Sequence, residues 1–419
     1  MTAQALRRTR IDLTQRPFIV IWEATRACTL ACRHCRATAA PHRDSDELTT
    51  LQAFALMDEV ATFGSPPPFG SPPPFFVITG GDPFERPDLL ELVSYGSAIG
   101  IPVAVSPSGT AALNRANLSR VYAAGAHAIS LSIDGATPDT HDAFRGVAGS
   151  FEHTVRGWRE ACEIGLKVQI NTTVTPDNIA ELPDILAMIA ERGALTWSIF
   201  FLVPTGRGEH LRQLTAEQAE DVLNFCYDAD KIVALKTTEA PAFRRVCIQR
   251  TICEELGLDP VVELGLGEDY RRLSQRLSGG ASITSRLRRP PVQVSAARGF
   301  VFISHTGEVY PSGFLPLSAG NVCETSLSDL YRSSDLFVSI RDTDAPHGRC
   351  GRCEFRAVCG GSRPRAYGAT RDLYADDPLC AYTPASFGHA QEVADAIDWG
   401  TGSTTTAPPQ RPTTTRRPR

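Results

Sequence analysis

The sequence predicts an α/β protein: a parallel barrel sheet of six strand-helix units followed by a small cysteine-bearing C-terminal domain. Three observations carry this. Short apolar runs alternate with amphipathic segments across residues 17–204, the order that builds a parallel sheet covered by helices. That pattern then gives way to a polar, helix-rich stretch over 205–290 and a hairpin-like region from 291. Finally, most of the cysteines fall in two tight clusters near the two ends of the chain rather than in a dispersed framework, which fits metal ligation better than disulfides.

Residues 1–16 form an N-terminal extension, and the apolar run 17–22 reads as the first strand. Immediately after it comes Cys28-Thr-Leu-Ala-Cys32-Arg-His-Cys35, a C-x3-C-x2-C motif. Its place on a loop at the C-terminal end of a strand is the active end of a barrel. Three cysteines at this spacing can hold three corners of an iron-sulfur cube and leave the fourth iron open, whereas structural zinc and electron-transfer clusters normally take four protein ligands. A zinc knuckle is the competing reading.

Helical spacing then marks Ala53, Leu56, Met57 and Val60; Leu89, Leu92 and Val93; Leu118, Val121 and Tyr122; and Leu182, Ile185, Leu186 and Ile189. Strand-like runs lie between them at 75–79, 102–106, 127–133, 166–174 and 197–203. A tandem repeat, GSPPPF at 64–69 and again at 70–75, must extend as a polyproline connector. The turn Thr79-Gly80-Gly81-Asp82-Pro83 follows the second strand; its glycines allow backbone to approach a ligand, and Asp82 offers a negative partner to an ammonium group. In the run ending at Asp134, Ile129, Leu131 and Ile133 alternate with Ser130, Ser132 and Asp134, so the apolar set should face helices and the polar set the barrel interior. Gln169, Asn171 and Thr173 alternate in the same way.

Beyond the 205–290 bridge, a hairpin is expected between 292–296 and 299–310, then a helix around 327–341. The C-terminal domain spans 291–385, a further segment 386–400, and the Thr/Pro/Arg-rich tail 401–419 is expected to be disordered. A formal charge of -5 spread along the chain speaks against a nucleic-acid surface. With no signal-peptide core and no apolar run long enough to cross a bilayer, a soluble cytoplasmic protein is expected.

On these motifs and the order of elements over residues 17–385, the chain resembles the radical S-adenosylmethionine (radical SAM) superfamily. The resemblance implies an open barrel of six units, a partial (β/α)6 TIM-like barrel. It implies that Cys28, Cys32 and Cys35 bind a four-iron four-sulfur cluster whose free iron chelates the amino and carboxylate groups of S-adenosylmethionine, from which reduction releases a 5'-deoxyadenosyl radical. An external donor such as a flavodoxin or ferredoxin would supply the electron. By the same resemblance the Gly80-Gly81-Asp82 backbone receives the methionine amino group, with Asp82 where the superfamily usually has Glu. His34 replaces an aromatic ring that contacts adenine, Ser108 and Ser132 contact the ribose or methionine region, and Arg145 reaches the methionine carboxylate.

The second cluster is Cys350-Gly-Arg-Cys353, then Cys359, then Cys380. Four cysteines can close an iron-sulfur cluster completely or hold a zinc. The pattern resembles the auxiliary-cluster region called SPASM, in which two further cysteines would stand where this chain has Arg363 and Ser312. One auxiliary cluster is therefore expected, making two four-iron four-sulfur clusters in all and a small iron-sulfur domain. Cys162, Cys226, Cys247, Cys253 and Cys323 read as ordinary thiols, with Cys247 and Cys253 alternatively flanking the active site.

This reduced ligand set is similar to radical SAM proteins of alternative heme and d-type heme biosynthesis. It implies oxidative decarboxylation or modification of propionates on a tetrapyrrole such as an iron-coproporphyrin. Arg352, Arg363 and Arg365 would then pair with substrate carboxylates. No catalytic residue is assigned. The rival enzyme class is a peptide maturase forming a thioether or carbon-carbon crosslink on a precursor peptide; many such enzymes carry an N-terminal leader-binding domain, so the short extension before the first strand argues against it without excluding a separate recognition protein. A non-enzymatic electron carrier would explain the cysteines but not the open site or the Gly80-Gly81 turn.

Overall fold

A computed structural model describes residues 11–64, 71–277 and 293–401. Its centre is one curled sheet. The strands are β1 (Ile19–Glu23), β2 (Phe75–Thr79), β3 (Val103–Val105), β4 (Ala128–Ser132), β5 (Lys167–Val174), β6 (Thr196–Phe201), β7 (Leu235–Thr238), β8 (Phe300–Ile303) and β9 (Val309–Tyr310). They are ordered β7-β6-β5-β4-β3-β2-β1-β8-β9. Every pairing is parallel except β8 with β9. The sheet does not close, since β7 and β9 remain its edges, and the result is a partial TIM-like barrel.

Helices α1 (Thr50–Thr62), α2 (Leu89–Ala98), α3 (Arg115–Ala123), α4 (Pro138–Arg145), α5 (Ser150–Glu163) and α6 (Leu182–Arg192) are the crossovers. α1 starts at a capping box, Thr49 with Gln52. The outward strand residues Val20, Trp22, Phe76, Ile129 and Ile170 share one core with Met57, Leu92, Val121, Trp158 and Ile185 from the helices. Burying apolar strand faces under helices is what makes an all-parallel sheet stable.

Four differences from the sequence reading stand out. The 205–290 stretch holds α7 (Ala216–Ala229), α8 (Ala242–Leu256), α9 (Pro260–Glu263) and α10 (Glu268–Leu277), but also β7, which pairs with β6 as a seventh parallel strand. The hairpin lies within 300–310 as β8 and β9; Ser295 and Arg298 make only an isolated bridge, and β8 also extends the barrel sheet beside β1. The helix expected over 327–341 is two, α11 (Leu327–Ser333) and α12 (Asp335–Arg341), separated by Ser334 in an extended conformation (ψ 138°). And two helices rather than one follow β4. Residues 65–70 of the proline repeat, Val292 of the expected hairpin and most of the tail, 402–419, lie outside the described residues.

The C-terminal region adds α13 (Gly348–Arg352), α14 (Arg363–Thr370) and α15 (Ala390–Thr401). A small second core of Ile252, Phe355, Phe387 and Val393 fastens it to α8. Among the described residues no helix is long and apolar enough to cross a membrane.

Candidate active site and cluster sites

The loop after β1 is stitched to the loop after β2. Gly81 N–H donates to Thr25 O (2.8 Å) and Asp82 N–H to Ala27 O (2.7 Å). A Cβ on Gly80 would come within 2.3 Å of Thr25 O, and one on Gly81 within 2.3 Å of Ala27 O, so any larger side chain must displace backbone. The paired glycines make room for the cysteine loop, and both also line the cavity.

Cys28, Cys32 and Cys35 are free thiols that line one cavity of about 870 Å3. Hydrogen-bond donors face two of them. Leu30 N–H donates to Cys28 Sγ (3.4 Å), the Ser108 hydroxyl lies 3.5 Å from the same sulfur, and Arg145 Nη1 donates to Cys32 Sγ (3.7 Å). Ser108 Oγ also donates to Gly81 O (2.7 Å), so this side chain ties the β3 loop to the β2 loop as well as to the cysteine loop.

Arg145 pairs with the buried Asp134. Burial works against its charge, but Asp134 and Cys32 outweigh it and keep the guanidinium ionised. His34 stacks on Phe144 at 4.5 Å, and its Nδ1 is buried without a partner among the described residues. Burial first, then Arg145 and Arg207, hold its pKa well below the ordinary histidine value, so the ring is neutral. Ser132 lines the cavity with Ser130, Asp134, Gln169, Asn171 and Thr173, while Ile129, Leu131 and Ile133 are in the core. The alternation read from sequence therefore holds on both strands.

The Asp82 side chain is not placed as the negative partner of an ammonium group, which leaves the backbone role of this residue untouched. Its side chain is fully buried, does not line the cavity, and accepts hydrogen bonds from Thr110 Oγ1 (2.9 Å), Phe84 N–H (3.2 Å) and Ser108 N–H (3.4 Å). It bridges the loops after β2 and β3. Burial pushes its pKa up to about 6. The folded pKa is raised above the unfolded value, so the stability this group contributes is complete below about pH 4 and is lost as pH rises through about 6. Asp82→Asn keeps the shape without the charge. We expect it to gain about 1–1.5 kcal/mol on the wild type between about pH 5 and about pH 7.5 in anaerobic denaturant titrations. A pH-independent difference would show that Asp82 is not held as a buried acid. Asp82→Ala instead leaves buried donors unpaired and should cost about 1–3 kcal/mol.

At the second site, Cys350, Cys353, Cys359 and Cys380 ring a small pocket, and Cys359 also reaches the large cavity. Arg363 Nη2 donates to Cys350 Sγ (3.8 Å) and Gly361 N–H to Cys359 Sγ (3.5 Å). Among the described residues no three His, Cys, Asp or Glu side chains converge as a single ion requires. Four thiols around one pocket could close an iron-sulfur cluster or hold a zinc. None of Cys162, Cys226, Cys247, Cys253 and Cys323 lines either pocket.

The arginines expected to hold substrate are largely committed elsewhere. Arg365 is buried, with Nη1 at 3.1 Å from both Asp377 oxygens and donors to Phe201 O (3.2 Å), Leu202 O (3.3 Å) and Glu239 O (2.5 Å). It docks the C-terminal region onto β6 and the end of β7. Arg352 is exposed and outside the cavity. Arg363 lines the cavity but donates to Leu373 O (3.0 Å) and Ala375 O (2.9 Å). Ser312, where a second auxiliary cluster would need a cysteine, donates to Glu239 (2.6 Å) together with Ser362 (2.7 Å). Sequence reading missed eight cations of the cavity wall, Arg36, Arg207, Lys236 and Arg244 among them; isolated basic residues carry no sequence signal of that placement.

The profile of the Radical SAM superfamily matches residues 22–189. The AdoMet-dependent heme synthase of Oleidesulfovibrio alaskensis is 40% identical over 370 residues, 87% of this chain and 87% of that protein. The AdoMet-dependent heme synthase of Methanosarcina barkeri is 35% identical over 376 residues, 89% of this chain and 99% of its own length. Among solved structures, Streptococcus suis SuiB bound to S-adenosylmethionine shares the fold, with TM-score 0.62 and 14% identity over 88% of this chain and 78% of that one. The chain belongs to the radical SAM superfamily. It is an enzyme, and membership implies a four-iron four-sulfur cluster and S-adenosylmethionine.

Proposed function

We propose that this enzyme oxidatively decarboxylates, or otherwise modifies, propionate side chains of an iron-coproporphyrin-like tetrapyrrole in heme biosynthesis. In this reading Cys28, Cys32 and Cys35 hold the cluster that binds S-adenosylmethionine, and Cys350, Cys353, Cys359 and Cys380 hold a second, closed cluster. A flavodoxin or ferredoxin would supply electrons.

The observation that carries the reading is the cavity. It runs from the three N-terminal cysteines to Cys359, with Phe18, Phe75, Phe200, Phe300, Phe302 and Phe314 in its walls and ten Lys or Arg side chains against four Asp or Glu. A flat apolar macrocycle edged by carboxylates needs both features: aromatic surface to remove the ring from water and cations to meet the edge. The volume lies within the range of cofactor-sized ligand sites. The relatives named as heme synthases point the same way.

When bound, the cluster and S-adenosylmethionine supply a radical that abstracts hydrogen. Removing one hydrogen atom, one electron and carbon dioxide from a propionate leaves a vinyl group. Arg145 keeps a positive charge beside Cys32, suited to the methionine carboxylate, and the neutral His34 ring offers a flat surface suited to adenine. Ser132 presents a hydroxyl to the same space. The β2 loop, held by Asp82, keeps the cysteine loop in place. Cys359 at the wall sets the second site against the substrate space.

The test is anaerobic turnover with S-adenosylmethionine, a reductant and iron-coproporphyrin. Mixing should shift the porphyrin's main absorption band, and turnover should release carbon dioxide with loss of one or more carboxyl groups by mass. Failure of every tetrapyrrole to bind, with 5'-deoxyadenosine formation stimulated instead by a precursor peptide, would overturn the reading in favour of the maturase.

A further inference from the structure

The parallel register aligns four residues across four adjacent strands. Ser132 on β4 pairs with Asn171 on β5, Asn171 with Ser198 on β6, and Ser198 with Lys236 on β7. All four line the large cavity, so the row is three neutral polar side chains ending in one cation. At about 4.8 Å between strands, Lys236 stands at most about 14 Å across the sheet from Ser132.

Most cations of the cavity are committed to partners within the fold, although Arg207 and Arg298 also keep buried guanidinium nitrogens without one among the described residues. Arg36 is paired with Glu23 and Arg145 with Asp134. Arg244 donates to Val358 O and Val294 O, and Arg341 to Ala297 O and Tyr331 O. Among the described residues no carboxylate or carbonyl is recorded against the Lys236 ammonium, and burial alone draws its pKa down to about 8. Its side chain is nonetheless open to the cavity space. An ammonium that opens onto the cavity with no anion beside it is free to take an anionic ligand group as its partner.

We infer that Lys236 is the specificity-determining anchor of the substrate, gripping a carboxylate that does not react. The inference rests on the tetrapyrrole reading. The Cys28 loop leaves the sheet at β1, and the Arg145–Asp134 pair near Cys32 lies just past the end of β4, whereas Lys236 sits on the far edge strand. A carboxylate held there is therefore remote from one presented to the first cysteine site. A macrocycle with propionates along its edge can satisfy both positions at once, and Lys236 would set which face and rotation of the ring reaches the reacting end.

The test compares wild type, Lys236→Met and Lys236→Arg, with retained iron content and unchanged circular dichroism as controls for folding. Each is titrated anaerobically with iron-coproporphyrin and with the same macrocycle as its fully esterified derivative. Lys236→Met should weaken binding of the free-acid porphyrin about 10- to 100-fold, the loss of one charge-assisted contact, and raise KM more than it lowers kcat. Lys236→Arg should restore binding to within about threefold of wild type. Ester binding should not distinguish the three proteins. If wild type binds the free-acid porphyrin and Lys236→Met binds it equally well, the anchor is wrong while the tetrapyrrole reading stands. If wild type binds no tetrapyrrole, both fall together.

Discussion

Replacing Cys28, Cys32 and Cys35 together by Ala is expected to abolish 5'-deoxyadenosine formation completely and to halve the iron content after anaerobic reconstitution, from about eight to about four. The three thiols line the same cavity and are held in a loop that the backbone of Gly81 and Asp82 hydrogen-bonds. No other free cysteine among the described residues lies in that part of the cavity. The second group, around Cys350, is far along the chain and built on separate elements, so it should load independently. Because the substitutions are small and the loop is fixed by backbone hydrogen bonds, the variant should fold. Retention of about eight irons would remove the first site, and tightly bound zinc in place of the remaining four would remove the second.

Cys353→Ala or Cys380→Ala should lose product while retaining some uncoupled 5'-deoxyadenosine formation. Four thiols around one pocket leave no coordination position for S-adenosylmethionine, so cofactor cleavage should not depend on this site. Its contact with the substrate space is through Cys359, and an oxidative decarboxylation leaves one electron that must go somewhere. These two variants spare Cys359 and the Arg365–Asp377 pair that docks the region. Product formed at the wild-type rate by a variant that has lost the second cluster and kept the first would refute the proposed role.

Much of this protein is written locally. The C-x3-C-x2-C spacing, the run of strands and helices, and the period-two alternation of Ile129, Leu131 and Ile133 with Ser130, Ser132 and Asp134 are properties of short segments. Each of these strands is long enough, and buried deeply enough on one face, for its pattern to be visible. The structure places their residues accordingly.

Other features depend on contacts between distant segments. β7 is four residues, Leu-Lys-Thr-Thr, at a sheet edge, too short and too polar to show a period; its register with β6 alone makes it a strand and turns Lys236 into the cavity. Arg363 and Arg365 look alike in sequence, yet Asp377 and the carbonyls of Phe201 and Leu202 internalise Arg365, while Arg363, also buried, sits at the cavity wall and donates to Leu373 O and Ala375 O. Asp82 looked like a ligand group until Thr110 and Ser108, from the next loop, enclosed it. Residue type and spacing establish what chemistry a chain can hold. Whether a charge is spent inside the fold or left facing a substrate is set by the partners that the tertiary structure brings to it, because electrostatic and hydrogen-bond pairing follow distance in space and not separation along the chain.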